Sequence, residues 1–169
     1  MDEQSPESNF LHADRPQLSL DGDSIIFTGS EPQTWGIYKV DAQTGSITPI
    51  LKKQKGSTWN PPFGSPLGSL DGKSIYYIKG NQEEKHLQII KRDIESGKEE
   101  ALIQFPRYRN PTMALSLNGK KLALMMRDKE NLRVLKVISF DRKEAIEIYR
   151  FTQEMGQNAI IDMDWSPDG

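Results

Sequence analysis

Short apolar runs separated by turn residues make up most of the chain. The stretch 37–41, IYKVD, alternates with a period of two, which is typical of a strand. The run 74–78, SIYYI, is more continuously apolar, as expected for a strand covered on both faces. Gly, Pro, Asn and Asp recur too often to leave room for helices of about ten residues. The pattern therefore predicts an all-β chain, in which the charged stretch 127–137, RDKENLRVLKV, is a loop that enters a strand.

A four-residue phrase marks a repeat along the chain. SLDG ends at Gly22 and Gly72, SLNG ends at Gly119 and SPDG ends at Gly169, so the spacings are 50, 47 and 50 residues. Each of the first three phrases is preceded by one apolar run and followed by three more. Because Ser, Asp or Asn, and Gly suit a type I turn followed by a left-handed residue, each phrase predicts a tight hairpin. A second hairpin, DAQTGS and DIESGK in the first two units, is FDRKEA in the third, where the missing Gly predicts a different turn.

The repeated phrases resemble the TolB/PD40-type (WD40-like) β-propeller repeat. SLDGDSIIF…WGIYKVDAQTG and SLDGKSIYYI…LQIIKRDIESG match it closely, and SLNGKKLAL…LRVLKVISFD matches it less well. The resemblance implies four-stranded antiparallel blades with the strand before each turn innermost. It predicts an incomplete β-propeller whose parts are a flexible N-terminal segment at 1–13, three blades at about 14–51, 64–105 and 111–151, and the inner strand of a fourth blade at 159–169. Since propellers close with four to eight blades, we expect a fragment of a larger bacterial protein, or a unit that self-associates through its open blade edge.

Composition excludes several classes of partner. The 169 residues carry a formal net charge of −2, which provides no basic surface for nucleic acid. No apolar run is long enough to span a membrane, so no membrane insertion is expected. The acidic N-terminus MDEQSPESNF has no leader pattern; a cytoplasmic location stays open, as does the periplasm or cell envelope for a piece of an exported parent. Cysteine is absent, which excludes disulfides and cysteine-bound metal.

The resemblance implies binding at the loops between blades and between the second and third strands of a blade. The longest of these loops, KKQKGSTWNPPFGSP, offers Trp59 and Phe63, either as aromatic contacts or as packing over the gap between blades. In PRYRNP, Arg107 and Arg109 flank Tyr108, and they would either bind an anionic or carboxylate-bearing partner or remain solvated.

Two acidic residues on the last run, Asp162 and Asp164, would face the channel if that run is an innermost strand. With Ser166 and Asp168 they form D-x-D-x-S-x-D-G, which resembles a calcium loop but has its Gly two positions late and lacks the closing Glu. We therefore predict no metal site and no cofactor. Neither histidine lies in a nucleophile motif and Gly-x-Ser-x-Gly does not occur, so no catalytic residue is predicted.

These features predict a non-catalytic propeller scaffold that binds a protein or peptide partner or another ligand. Two alternatives stay open, since fold analogy does not rank them. One is the substrate-gating propeller of a prolyl oligopeptidase or dipeptidyl peptidase-like serine hydrolase whose catalytic domain lies outside this chain. The other is the sensory propeller of a kinase or transcriptional regulator.

Overall fold

Three antiparallel sheets of four strands each follow one another along the chain. The structure is a computed structural model and describes residues 10–19, 22–54, 63–80, 85–106, 111–142, 144–152 and 163–166. Each sheet keeps its strands in chain order, and we call the sheets blade 1 (β1–β4), blade 2 (β5–β8) and blade 3 (β9–β12). The strands are β1 (His12–Leu18), β2 (Ser24–Ser30), β3 (Thr34–Asp41), β4 (Ile47–Gln54), β5 (Phe63–Gly68), β6 (Ser74–Lys79), β7 (His86–Asp93), β8 (Glu99–Pro106), β9 (Thr112–Leu115), β10 (Lys121–Arg127), β11 (Arg133–Ser139) and β12 (Glu144–Arg150).

The repeated phrase forms the hairpin between the first two strands of each blade. Gly22, Gly72 and Gly119 have φ angles of 79°, 66° and 67°, in the left-handed region that glycine adopts without strain. The N–H of each glycine donates to the carbonyl of the serine three residues earlier, at 2.9, 3.0 and 2.8 Å. The predicted turns are therefore confirmed for the first three phrases, and residues 167–169 of the fourth lie outside the described residues.

The serine of each phrase is buried and closes the same turn. Ser19, Ser69 and Ser116 are 4%, 8% and 1% exposed. Each Oγ accepts the backbone N–H of the residue five positions later, at 3.0, 2.9 and 2.9 Å. In blades 2 and 3 the hydroxyl also donates to Oδ1 of Asp71 or Asn118. In these blades three of the four residues of the phrase thus either make a hydrogen bond within the hairpin turn or supply the backbone conformation that the turn requires.

The hairpin between the third and fourth strands differs in blade 3, as its sequence predicts. In blades 1 and 2 the last paired residues enclose 41–46 and 93–98, with Gly45 and Gly97 at positive φ. In blade 3 the last pair encloses only 140–143. The shorter loop has no place for the left-handed glycine of the other two blades.

Blade 2 lies between blades 1 and 3. β5, the first strand of blade 2, contacts both β1 and β9, the first strands of the other two blades, so these three are the innermost strands. On β6, Ile75 and Tyr77 pack against blade 1, whereas Tyr76 and Ile78 pack against blade 3. All four side chains are at most 4% exposed, which confirms a strand covered on both faces. The described residues form an all-β, incomplete propeller, as predicted.

The ends of the described chain contact blades 1 and 3. β1 begins at His12, two residues ahead of the predicted boundary at 14, and Phe10 already packs on Phe27 of blade 1, with ring centroids 5.5 Å apart. At the other end, the indole N–H of Trp165 donates to the carbonyl of Ala114 on β9 at 3.0 Å. The described residues 163–166 form no strand, so the inner strand of a fourth blade stays a prediction.

Candidate functional site

The structure describes few of the residues that the sequence singles out for binding. Phe63 opens β5, where its backbone pairs with Ile78. Asp164 is exposed and its Oδ1 accepts the backbone N–H of Trp165 at 2.8 Å. The other candidates lie outside the described residues; they are Trp59, Arg107, Tyr108, Arg109 and Asp162. Among the predicted binding residues, the described part of the chain therefore places only the backbone of Phe63 and the side chain of Asp164.

One end of the blades collects the loops that the resemblance implies for binding. Because strands alternate in direction within a sheet, the β2–β3 and β10–β11 loops lie at the end where β1, β5 and β9 begin. The fourth strand of each blade also finishes there, and the chain passes from that point to the next blade. We call this end of the molecule the loop end.

A cleft of about 460 Å³ opens at the loop end between blades 2 and 3. Pro106, the last residue of β8, lies on one side of it, and blade 3 supplies the remainder. Its apolar floor includes Met126 and Val134, which are 4% and 1% exposed. The charged rim consists of Asp128, Lys129, Glu130, Lys136, Glu147 and Arg150. We call this feature the blade 2–3 cleft.

Arg150 holds two carboxylates of the rim in place. Its Nε and Nη2 donate to the two oxygens of Glu147 at 3.0 and 3.1 Å, and its Nη1 pairs with Asp128. Asp128 Oδ1 also accepts the backbone N–H groups of Glu130 and Leu132 at 2.8 and 3.0 Å. Desolvation opposes ionisation of Asp128, but these hydrogen bonds and Arg150 outweigh it and lower the pKa of the carboxyl.

Two lysines complete the rim with their charges unpaired. Neither Lys129 nor Lys136 makes an ion pair with any residue that the structure describes. Lys129 is exposed in the β10–β11 loop and Lys136 is half-buried on β11. The rim therefore offers both cationic donors and carboxylate acceptors around an apolar floor.

Blade 1 repeats the acid–base pair of the cleft. Glu31, the first residue after β2, accepts hydrogen bonds from Thr34 Oγ1, Tyr38 Oη and Lys52 Nζ, at 2.7, 3.1 and 3.0 Å. The lysine contact is the main cause of the lowered pKa of Glu31. Burial, and then the hydrogen bond to Glu31, raise the pKa of Tyr38 to about 12. The sequence contains the signal for this pair, an acid directly after the second strand and a base late in the fourth, and aligning the repeats would have found it.

A second ionic cluster lies on the face of blade 2 that packs against blade 1. Glu99 accepts hydrogen bonds from Tyr77 Oη at 2.6 Å, Lys79 Nζ at 2.9 Å and Arg92 Nη1 at 3.1 Å. Burial opposes ionisation of Glu99, yet these donors lower its pKa overall. The guanidinium also donates to the carbonyl of Gly97 at 2.8 Å. The cluster ties three strands of blade 2 together.

The described residues contain no group of three or more His, Cys, Asp or Glu side chains placed to hold a metal ion. They also contain no helix, and hence no helix that could cross a membrane.

Comparisons with known proteins place the fold. No family model matches the sequence, and no curated protein matches it. Among solved structures, TolB of Acinetobacter baumannii matches 85% of this chain over 33% of its own, at 22% identity and a TM-score of 0.61. A TolB-like protein of Agrobacterium tumefaciens matches 85% of this chain and 51% of its own chain, at 18% sequence identity and a TM-score of 0.64. The β-propeller domain of the Trilobed protease of Pyrococcus furiosus matches 86% of this chain and 45% of its own chain, at 15% sequence identity and a TM-score of 0.59.

These matches fix the architecture and not the activity, since their identities are low. The chain spans between about a third and a half of the length of the three structures. Each match extends over most of this chain, and so over more than one blade. The chain therefore has the fold of a TolB-like β-propeller, of which the described residues form three blades.

Proposed function

We propose that this chain belongs to a non-catalytic propeller scaffold that binds a polypeptide partner at its loop end. The observation that carries the proposal is the blade 2–3 cleft, which combines a buried apolar floor with donors and acceptors on its rim. Its volume of about 460 Å³ lies in the range of small-ligand and side-chain pockets. The likeness to TolB and to a TolB-like protein supports a scaffold of this fold.

The predicted loop residues extend this surface in the proposal. Pro106 lines the cleft and directly precedes Arg107, Tyr108 and Arg109 in the chain. An aromatic ring between two guanidiniums is the composition that protein interfaces favour at their energetic centres. Trp59, Phe63, Asp162 and Asp164 are further candidates, each with packing or solvation as its alternative.

Selection from a peptide library tests the proposal without a known partner. The chain is immobilised and exposed to random phage-displayed peptides, and enriched peptides are resynthesised and titrated. We expect their affinity to fall at least tenfold in a Lys129→Glu/Arg107→Ala variant of the loop end. A Lys98→Glu/Lys120→Glu variant changes charge at the opposite end and should keep the affinity. No enrichment, or loss only in the opposite-end variant, would reject a polypeptide-binding loop end.

One observation favours a second candidate, a propeller that gates access to a peptidase active site. The propeller domain of the Trilobed protease matches 86% of this chain at a TM-score of 0.59. Sequencing the gene on the 3′ side of the Gly169 codon separates the candidates. A Gly-x-Ser-x-Gly elbow after further blades would favour the gating propeller, whereas further blades alone would favour the scaffold.

A further inference from the structure

We propose that Asn118, in the exposed hairpin turn of blade 3, is a modification site whose side-chain amide is converted to a carboxylate by the backbone nitrogen of Gly119 and water. The reaction needs no partner, so it is independent of the proposed binding function. Its basis is the chemistry of the SLNG turn of blade 3 and a comparison with the SLDG turn of blade 2.

Asn118 is the asparagine whose next backbone nitrogen is least hindered. Of the asparagines in the sequence, it alone precedes a glycine. The Cγ of an asparagine is open to attack by the backbone nitrogen of the following residue, and the missing Cβ of glycine lets that nitrogen approach closely. Attack closes a five-membered ring, so the chain itself holds the two reacting atoms near each other.

The reaction balances with water as its one co-reactant. The Gly119 nitrogen forms a bond to Cγ of Asn118, the Cγ–Nδ2 bond breaks, and the displaced proton leaves with the amide group as ammonia. The product is a cyclic succinimide. Water that adds at Cγ breaks the new bond and gives aspartate, whereas water that adds at the backbone carbonyl breaks the original peptide bond and gives isoaspartate.

The turn of blade 3 polarises the amide that is attacked. Asn118 is exposed, and its Oδ1 accepts the hydroxyl of Ser116 at 2.9 Å and the backbone N–H of Lys120 at 3.0 Å. These donors stabilise the negative charge that develops on the oxygen while the nitrogen attacks Cγ. A Cβ added at Gly119 would meet only Leu70 Cβ, at 3.9 Å, outside its chain neighbours, so the space around the glycine is open.

One hydrogen bond opposes the reaction and controls its rate. The N–H of Gly119 donates to the carbonyl of Ser116 at 2.8 Å, so the nitrogen is released only when the turn opens. Exposed turns with few buried contacts open locally at a low cost in free energy. Leu117, inside the turn, is 48% exposed, and Asn118 is exposed beside it. We therefore expect conversion in the folded chain and not only after global unfolding.

Blade 2 demonstrates that an aspartate fits this turn. Asp71 occupies the position of Asn118, and its Oδ1 accepts the hydroxyl of Ser69 at 2.6 Å and the backbone N–H of Lys73 at 3.1 Å. These bonds, the serine bond most, lower the pKa of Asp71, so a carboxyl in this setting is ionised at neutral pH. Conversion of Asn118 to aspartate thus keeps the contacts of the turn and adds one negative charge.

Peptide mapping of the full chain tests the site. The chain is incubated at mildly alkaline pH, once folded and once in urea, and is digested with trypsin at intervals. Mass spectrometry follows the change from amide to carboxylate, and synthetic peptides identify aspartate and isoaspartate. Asn131 is the matched control within the sample, since it is also exposed in a hairpin loop but precedes Leu132. Tryptic peptides 110–120 and 130–133 separate the two asparagines.

We expect Asn118 in the folded chain to convert at least tenfold faster than Asn131, giving both aspartate and isoaspartate. The rate should rise with pH, because the attacking nitrogen must lose its proton. The resulting acidic species on ion exchange should be missing from Asn118→Gln, whose longer side chain would have to close a six-membered ring. Equal rates at the two asparagines, conversion of Asn118 in urea alone, or aspartate without any isoaspartate would overturn the proposal.

Discussion

Blades 2 and 3 have the same strand order and nearly the same registers, yet they differ in how much of each is buried. Ile78 and Ile89 are paired on the blade 2 face that blade 3 covers, and they are 0% and 1% exposed. Met125 and Leu135 are the equivalent pair on blade 3; Met125 is 8% exposed, Leu135 is half-buried, and the next residue along that ladder, Tyr149, is 47% exposed. The outer strand β12 is exposed throughout. A neighbouring blade therefore adds to the burial of a blade face, and its effect is largest toward the outer strands.

The largest expected effect comes from truncating the covered face. Ile89→Ala removes a side chain packed between blades 2 and 3 and should lower the free energy of unfolding by about 2–5 kcal/mol. Ile146→Ala on β12, where the side chain is 53% exposed, should change it by no more than about 0.5 kcal/mol. Urea denaturation followed by circular dichroism measures both. Equal losses would mean that blade 3 has a cover of its own on that face.

Turn chemistry should not distinguish the two blades. Ser69→Ala leaves the buried backbone N–H of Ser74 without its side-chain partner, and Ser116→Ala does the same to the part-buried N–H of Lys121, so each should cost about 1–3 kcal/mol of unfolding free energy. Ser46→Ala, at an exposed hairpin position, serves as the control and should cost much less. If Ser69→Ala lowered the free energy of unfolding and Ser116→Ala did not, the stability of the hairpin turn would depend on the neighbouring blades and not on its own four residues.

The ionic cluster of blade 2 gives a pH-dependent contrast, because Ala145 of blade 3 occupies the ladder position of Glu99. The folded pKa of Glu99 lies below its ordinary value of 4.5, so the carboxylate stabilises the fold above that pH. This contribution is lost as the pH falls below 4.5 and through the folded pKa. Glu99→Gln should flatten the loss of thermal stability in that interval, and Glu95→Gln in the exposed turn should not. If the melting temperatures of Glu99→Gln and of the parent chain fell equally between pH 5 and 3, Glu99 would not be the source of this pH dependence.

The smallest effect on stability is expected at the uncovered face, where a change of assembly is predicted instead. Ile146→Lys and Ile148→Lys add charge to two side chains that are 53% and 57% exposed. If the chain self-associates through its open blade, the second of the two outcomes that the sequence predicts, analytical ultracentrifugation should show less oligomer for the double variant while its melting temperature stays the same. Lys substitution at Leu117, an exposed corner residue, is the control. If the Ile146→Lys/Ile148→Lys double variant had the same distribution of oligomers as the parent chain, this face would be excluded from self-association.

The sequence predicts the architecture well because the hairpin turn of each blade is specified by residues within the turn itself. In the second and third phrases the serine, the acid or amide and the glycine all have local hydrogen-bonding roles, which is why a phrase of four residues locates a hairpin without any tertiary information. The run 74–78 likewise reveals its double burial, since both sets of alternating side chains are apolar. The altered hairpin of blade 3 follows from one missing glycine.

The candidate site is predicted less well because it depends on distance along the chain. Asp128 and Arg150 are separated by 22 positions, and only the folded ladder brings them together over Met126 and Val134. The composition of the loops instead predicted binding at Trp59 and at Arg107–Arg109, and these residues lie outside the described part of the chain. The position of Phe10 on blade 1 is likewise a tertiary contact that composition of the segment 1–13 does not reveal.

Radial stacking of the blades, with blade 2 in the middle, can be observed through two contacts on opposite faces of that blade. The Ile26 Cδ1 methyl of blade 1 lies against Gly68, and the Tyr76 ring stacks on Phe140 of blade 3 with centroids 5.0 Å apart. A nuclear Overhauser spectrum of the chain, with Hα, methyl and aromatic protons assigned, should contain cross-peaks from the Ile26 Cδ1 methyl to the Gly68 Hα protons and between the Tyr76 and Phe140 rings. Absence of both from a folded, fully assigned sample, or helical chemical shifts across 74–93, would contradict the repeated-blade architecture.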